Sequence, residues 1–399
     1  MNNRLKTLAA AAALVLCAGC APSDKNDAAP TKTPTSASDA APTQLPVPVA
    51  DPKTQLPLRA GEKRMTLAMP TDYTPSAPTG VGTDDYRCFL LDPHLKQDVY
   101  LTGTNVLPGN PDVVHHVILF RVDPAQVAEA RAKDASEDGE GWTCFGGTGL
   151  RGDFSNVDDA NWLGAWAPGG KESETRPGYG VHLAQGSRII MQVHYNLLVG
   201  DSPDRSAAQV RWRPGTAHLD PIHTFLMPAP VELPCRAGHD QSPLCDRDAA
   251  VADVKARFGQ GPGSTADLLY FLCGGKPHPS EVTSCTRRVQ QPMTILGVAG
   301  HMHLLGRWIK IETNPGTPEA RTILDIPIWD FDNQGAKPIT PVHLDTWDTV
   351  KVTCKHVQWL RDKLPSFQGQ DERYVVWGEG TTDEMCLGML QVAFDSERS

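Results

Sequence analysis

The sequence predicts an all-β protein of two tandem antiparallel β-sandwich domains, jelly-roll-like, with few helices. Three observations predict it. Short runs of β-branched and aromatic residues recur between Gly, Pro, Asn and Asp punctuation. Thirty-four prolines and thirty-five glycines supply the turns that many short strands need. Long amphipathic helical patterns are scarce, which leaves strands as the main building element.

In chain order, the N-terminus reads as an export signal. Arg4 and Lys6 give a positive start, Leu8 to Leu16 an apolar stretch, and Ala18-Gly19-Cys20 a small-residue cleavage site. That site resembles a bacterial lipobox. Residues 1–20 are therefore expected to be a lipoprotein signal peptide, with Cys20 lipidated as the first mature residue. The apolar run is too short to span a bilayer. Ala21, in place of aspartate, favours the outer membrane by enterobacterial sorting rules. The expected location is the cell envelope, lipid-anchored and facing periplasm or surface, with the anchor as the only membrane contact.

Residues 21–62 turn to Ala, Pro, Thr, Ser and Asp. Such a segment buries too little apolar surface to offset its ordering entropy, so a disordered tether is expected. The remaining residues exceed one ordinary domain and suit two, 63–216 and 217–399. Net charge is −10, from 37 basic and 47 acidic residues. With no basic cluster, nucleic acid is not expected as a partner. A monomer is the expected state.

Strands are expected at Val113–Phe120, Ser187–Leu198, Gln209–Arg213, Met293–Val298, Trp308–Thr313, Thr349–Thr353, Arg373–Gly378 and Leu387–Phe394. Helical patterns stand out only at Ala125–Lys133 and Arg247–Phe258. Eight cysteines follow the signal: Cys88, Cys144, Cys235, Cys245, Cys273, Cys285, Cys354 and Cys386. An even count in an exported chain predicts disulfides, up to four bridges, with about 105 possible connectivities. No CxxC pair occurs among the eight, which argues against a zinc cluster.

The run His301-Met302-His303 carries the most chemistry. Alternate strand residues share a face, so H-x-H on a strand offers two imidazoles to one ion. Its company strengthens the reading: His115-His116 in an apolar run, His194 within Gln192-Val193-His194-Tyr195, and Met385 within Asp383-Glu384-Met385-Cys386. A thioether is soft and selects copper, particularly Cu(I). Adjacent strand residues point to opposite faces, so His115 and His116 reach one ion only through a bulge or through different ring nitrogens. The competing reading is one ligand and one packed histidine. His182 is read as packing or an outer neighbour of the first set. His94, His218, His223, His239, His278 and His343 are read as solvated, and Trp329-Asp330-Phe331 as a packed turn.

These pieces together resemble the ascorbate-dependent type II copper monooxygenases, the family of peptidylglycine α-hydroxylating monooxygenase and dopamine β-monooxygenase. Val114 to Phe120, Gln192 to Tyr195, His301 to Gly306 and Asp383 to Cys386 occur in the family's order and at comparable separations. With Tyr86-Arg87-Cys88 upstream, they span most of the mature chain. The resemblance implies two coppers per chain. His115, His116 and His194 would hold one that supplies an electron from a distance. His301, His303 and Met385 would hold the other, the catalytic one, where dioxygen binds. It implies one copper on each of two sandwiches, facing across an open cleft. It implies the bridges Cys88 with Cys144 and Cys354 with Cys386, leaving Cys235, Cys245, Cys273 and Cys285 unassigned.

The implied activity is hydroxylation of a C–H bond using dioxygen and two electrons from ascorbate or another one-electron donor. In the peptide-amidating members, polar residues at the positions of Ala299, Leu387 and Met389 grip a carboxylate. Here all three are apolar or small, so the expected substrate is non-peptidyl. Cationic side chains between Cys235 and Cys285 are a possible replacement for the lost grip. A non-catalytic copper store or carrier is the alternative, but such a protein would favour Met-rich runs, and none occurs. A β-sandwich adhesion domain with degenerate sites is a third reading, against which all six ligand positions are filled.

Overall fold

The computed structural model describes residues 44–77, 83–152 and 157–398. The signal peptide, Cys20 and the tether up to residue 43 lie outside the described residues. The fold is all-β, as the sequence predicts, and residues 44–399 form one compact unit.

Eight longer strands build the first sandwich, with two-residue pairings added at Trp142–Thr143, Ser173–Glu174 and Asp220–Pro221: β1 (Lys63–Ala68), β2 (Asp84–Leu91), β3 (Val99–Leu107), β4 (Val114–Val122), β5 (Trp162–Trp166), β6 (Tyr179–Leu183), β7 (Arg188–Asn196) and β8 (Ala207–Pro214). One sheet runs β1-β8-β3-β6, and the facing sheet runs β2-β7-β4-β5, all antiparallel. Leu67, Val99 and Val210 from the first sheet meet Phe89, Val117 and Met191 from the second in one apolar core.

Eight further strands build the second sandwich: β9 (His223–Pro228), β10 (Val282–Arg288), β11 (Met293–His301), β12 (Gly306–Thr313), β13 (Arg321–Ile326), β14 (Lys337–Leu344), β15 (Thr349–His356) and β16 (Leu387–Phe394). The sheets run β9-β16-β11-β14 and β10-β15-β12-β13. Their core interleaves Ile295 and Val392 with Ile309 and Val352.

Helices are few: α1 (Val127–Asp134), α2 (Arg247–Phe258) and α3 (Thr265–Cys273), with a single turn at Gln260–Gly263. Asp246 caps α2 by accepting from Ala249 N at 2.9 Å. Val251, Val254 and Phe258, three and four apart, bury one face of α2 against the second core. The sequence pattern finds α2 but not α3. The strand expected at Arg373–Gly378 shrinks to a two-residue pairing at Val375–Val376.

Four disulfides close the frame: Cys88–Cys144, Cys235–Cys245, Cys273–Cys285 and Cys354–Cys386. The first and last are the two bridges the resemblance implies. The other two staple the segment before β11.

The tether expected through residue 62 does not extend that far. Leu45 N donates to Asp72 Oδ2 at 2.8 Å, Leu56 N to Glu172 Oε2 at 2.6 Å, and Arg59 Nη1 to Thr175 O at 2.8 Å. Buried Glu62 pairs with buried Arg211. Composition alone misses this, because polar contacts rather than apolar burial lay residues 44–62 along the sandwich.

Candidate metal centre

The first ligand set is built by a bulge. Val114 pairs with Tyr195 and His116 with His194, so His115 is the extra residue in β4. In strict alternation His115 would share the core face of Val117 and Leu119; the bulge turns it out beside His116. All three histidines then aim the same nitrogen at one point. Nδ1 of His115, His116 and His194 lie 3.2 Å from one another in every pair. The bulge, not the use of different ring nitrogens, brings His115 and His116 to one point.

This triangle fits a metal ion. Its centre lies about 1.8 Å from each nitrogen, so an ion at the usual imidazole distance of about 2.0 Å sits just off its plane. Hydrogen bonding does not explain it. Each Nδ1 carries either a proton or a lone pair, so with three nitrogens at least one pair opposes like with like. The three form a group able to hold a metal ion.

Neighbours fix the rings. His194 Nε2 donates to Asp84 Oδ1 at 2.8 Å, which leaves its Nδ1 as the lone-pair atom. Burial alone would raise the Asp84 carboxyl, but the hydrogen bond and charge of His194, with Thr381, hold it below the usual carboxylate range. Tyr86, the cross-strand partner of His194, stacks on it at 4.1 Å and 8°. Burial, then the charge of His194, pushes His115 down to about 2, and the same causes hold His116 well below its ordinary value. Neutral, metal-ready imidazoles result.

The second set forms differently. β11 ends at His301, so His303 lies in the turn beyond rather than on a strand. Met302 between them is fully buried in the second core, which sends both histidines the other way. A side chain at Gly306, where β12 begins, would meet Met302 Cβ and Trp329 at 2.9 Å, so glycine is required for this tight return. Gln334 Nε2 donates to Phe331 O at 2.7 Å, so its Oε1 accepts from His301 Nδ1 at 2.6 Å. His303 Nδ1 donates to Asp383 O at 3.3 Å. Both Nε2 atoms keep their lone pairs. Burial, then the charge of His303, lowers His301 to about 3. Met385 lines the same cavity as both histidines.

Glu384 binds the two ligand segments together. Fully buried, its carboxylate accepts from His303 N at 3.0 Å, from Met385 N at 3.3 Å and from Leu305 N. His356 Nε2 donates to Met385 O at 3.1 Å and lies 3.3 Å from the Glu384 carboxylate. Asp383 is gripped by Arg257 and Arg373, and Cys386 is bridged to Cys354.

The open cleft implied by the resemblance is closed here. The rings of His116 and His301 stand 6.3 Å apart, edge to face. Phe331 stacks on His115 at 4.7 Å and meets His303 edge-on at 6.4 Å, filling the space between the sets. Tyr86 Oη donates to Glu379 O at 2.6 Å across the two sandwiches. The sequence treats Phe331 as part of a packed turn; it packs against a residue of each ligand set. Nothing in the local sequence marks Phe331 or Gln334, whereas the acid beside Met385 was a readable signal for Glu384.

His115 and His116 of the first set and all three residues of the second line one cavity of about 580 Å³. Its walls are apolar, with Trp162, Trp166, Leu226, Leu269, Leu387 and Met389 among them. Among the described residues no Lys or Arg lines it, so cationic residues of the 235–285 segment do not replace the missing grip there; α3 contributes leucines instead. Ala299, paired across the strands with Met389, is buried and does not itself line the cavity. His182 pairs with Tyr100 and Asp98 in the other sheet, remote from the ligands. His223, read as solvated, is half-buried between Asp159 and Glu397, because β9 packs against the first sandwich through Thr224 and Ala160.

No protein-family model and no curated protein matches the chain. Among solved structures, an allantoicase aligns over 68% of this chain and 73% of its own, at 10% identity and a TM-score of 0.17. A Paenibacillus xanthan lyase aligns over 82% of this chain at 10% identity and a TM-score of 0.19, and this chain spans 25% of that protein. Bacillus subtilis oxalate decarboxylase aligns over 87% of this chain and 76% of its own, at 10% identity and a TM-score of 0.16. Likeness this slight carries no argument about fold or function.

Proposed function

We propose that the chain is a copper-dependent monooxygenase that hydroxylates a C–H bond of a small, non-peptidyl substrate. Dioxygen and two single electrons from an external reductant such as ascorbate are its co-substrates. One observation carries the reading: two ligand sets of different softness border a single apolar cavity large enough for an organic substrate. The all-histidine set suits copper in either oxidation state, and the thioether of Met385 favours Cu(I). Bound copper would supply one-electron redox chemistry and open positions for dioxygen.

The chain supplies the rest. Asp84 and Tyr86 fix the His194 ring, and Gln334 and the Asp383 carbonyl fix the tautomers of His301 and His303. Glu384 and His356 hold the Met385 backbone against the H-x-H turn. Phe331 occupies the space between the sets, and the tryptophans give the cavity an apolar wall for a substrate.

Metal analysis with ascorbate-driven oxygen uptake over a substrate panel tests the proposal. Two coppers per chain and substrate-dependent uptake are expected. Copper bound without any uptake would leave a store or carrier, and no copper bound would remove the reading altogether.

A further inference from the structure

The cavity's rim points to where its substrate comes from. Leu268, Leu269 and Leu272 of α3 line the cavity, the first two each one turn before Leu272. Leu269 is buried, whereas Leu268 and Leu272 are 55% and 36% exposed. Phe271, between them in sequence, is 88% exposed and does not line the cavity. Phe271 is the barest large apolar side chain among the described residues, and with two open leucines beside it forms a contiguous apolar patch, the kind of surface that marks an interaction site. The helix is also firmly held, since Cys273 at its end is bridged to Cys285 of β10.

We propose that α3 rests on a lipid bilayer and opens the cavity to it, so that the substrate is an uncharged lipophile taken from the membrane. This rests on the monooxygenase reading for what happens to that substrate, but not for the docking itself. The occupant follows from what stands nearby. Three side chains make too small a patch for a stable second copy of this chain, whose interface needs about 800 Å² from each partner. Residues 21–43 contain no Leu, Ile, Val, Phe or Trp with which to cover Phe271. A bilayer suits a few inserted apolar side chains, provided a second attachment adds to them. The lipid expected on Cys20 is that second attachment. Twenty-three residues, at most about 80 Å of chain, separate Cys20 from the described body.

The test uses the chain from residue 21 with a single myristoyl chain coupled to its N-terminus, an anchor that alone binds only marginally and reversibly, and zwitterionic phosphatidylcholine vesicles below about 0.1 mM lipid. Flotation should show partitioning that Phe271→Asp lowers at least tenfold and Phe271→Trp preserves. Phe271 is exposed, so neither variant removes a core contact. In oxygen-uptake assays with an alkylbenzene dissolved in the vesicles, Phe271→Asp should raise apparent KM about tenfold and leave kcat unchanged. Equal partitioning by parent and Phe271→Asp, or none by either, overturns docking. A dimer of the parent that Phe271→Asp dissociates overturns it in favour of a self-interface. Loss of all copper binding or turnover would instead strike the monooxygenase reading, since flotation needs neither.

Discussion

Thr381 and His194 bind the same oxygen. Thr381 Oγ1 donates to Asp84 Oδ1 at 2.6 Å, and His194 Nε2 donates to that atom at 2.8 Å. Thr381 stands four residues before Met385, so a histidine of the first set and the loop of the second share one partly buried carboxylate. Asp84→Asn should weaken metal binding at the first set by about 10–100-fold, because the charge that orients His194 is lost. The second set should keep its affinity. Chelator-competition titration measures both, and an unchanged first site would mean that stacking on Tyr86 alone positions the ring.

Removing the thioether should separate the two oxidation states. Met385→Ala is expected to weaken Cu(I) far more than Cu(II) at the second set and to abolish oxygen-dependent turnover. The first set, held by residues of the other sandwich, should load normally. Near-normal turnover by this variant would reduce Met385 to packing.

The closeness of the sets has a magnetic consequence. With His116 and His301 rings 6.3 Å apart, two Cu(II) ions should broaden each other's EPR signals by dipolar coupling. Mutating His115 to alanine should leave one sharp signal. A doubly loaded protein whose spectrum is the plain sum of two isolated ions would place the sets further apart than this structure does.

Glu379, on the cavity wall, gives a pH signature. Burial raises its carboxyl from an ordinary 4.5 to about 8, the Trp377 hydrogen bond opposing and the Asp383 charge adding to the rise. Between those values the folded chain holds a proton that the unfolded chain has released. Stability therefore falls as pH rises from 4.5 to 8, by up to about 1.4 kcal/mol per unit from this group, and levels off above. Glu379→Gln should flatten that stretch in urea midpoints taken across it. An identical slope in the variant would show that other groups dominate.

Substrate polarity is decided by assay. A C-terminally glycine-extended peptide should turn over poorly, because Leu387 and Met389 offer its carboxylate no charged partner. Efficient ascorbate-dependent conversion to the hydroxyglycine product would overturn the non-peptidyl assignment.

Much of the fold is legible in the chain because its signals are local. Short β-branched and aromatic runs between turn residues announce β4, β7, β8, β11, β12, β15 and β16, and the spacing of Val251, Val254 and Phe258 announces α2. Strands β2 and β3 escape because Arg87, Thr102 and Thr104 sit in them buried, breaking the alternation that marks a strand. Helix α3 escapes because its apolar residues are nearly continuous, and periodicity cannot separate a short buried strand from a short helix.

The sequence by itself determined the all-β class and the residue types able to hold metal, and its likeness to a known family nominated the six ligands and two of the bridges. Only the tertiary structure decided how His115 and His116 reach one point, since a bulge is a property of two strands in register and not of one. Only it brought Phe331 and Gln334 to the ligands, over sequence separations that carry no pattern. The pairing of Cys235 with Cys245 and of Cys273 with Cys285 was likewise fixed by where packing set their backbones. The closure of the cleft belongs to the same class. It depends on Tyr86 meeting Glu379 and on Asp84 meeting Thr381, contacts between residues nearly three hundred positions apart that exist only once both sandwiches have folded.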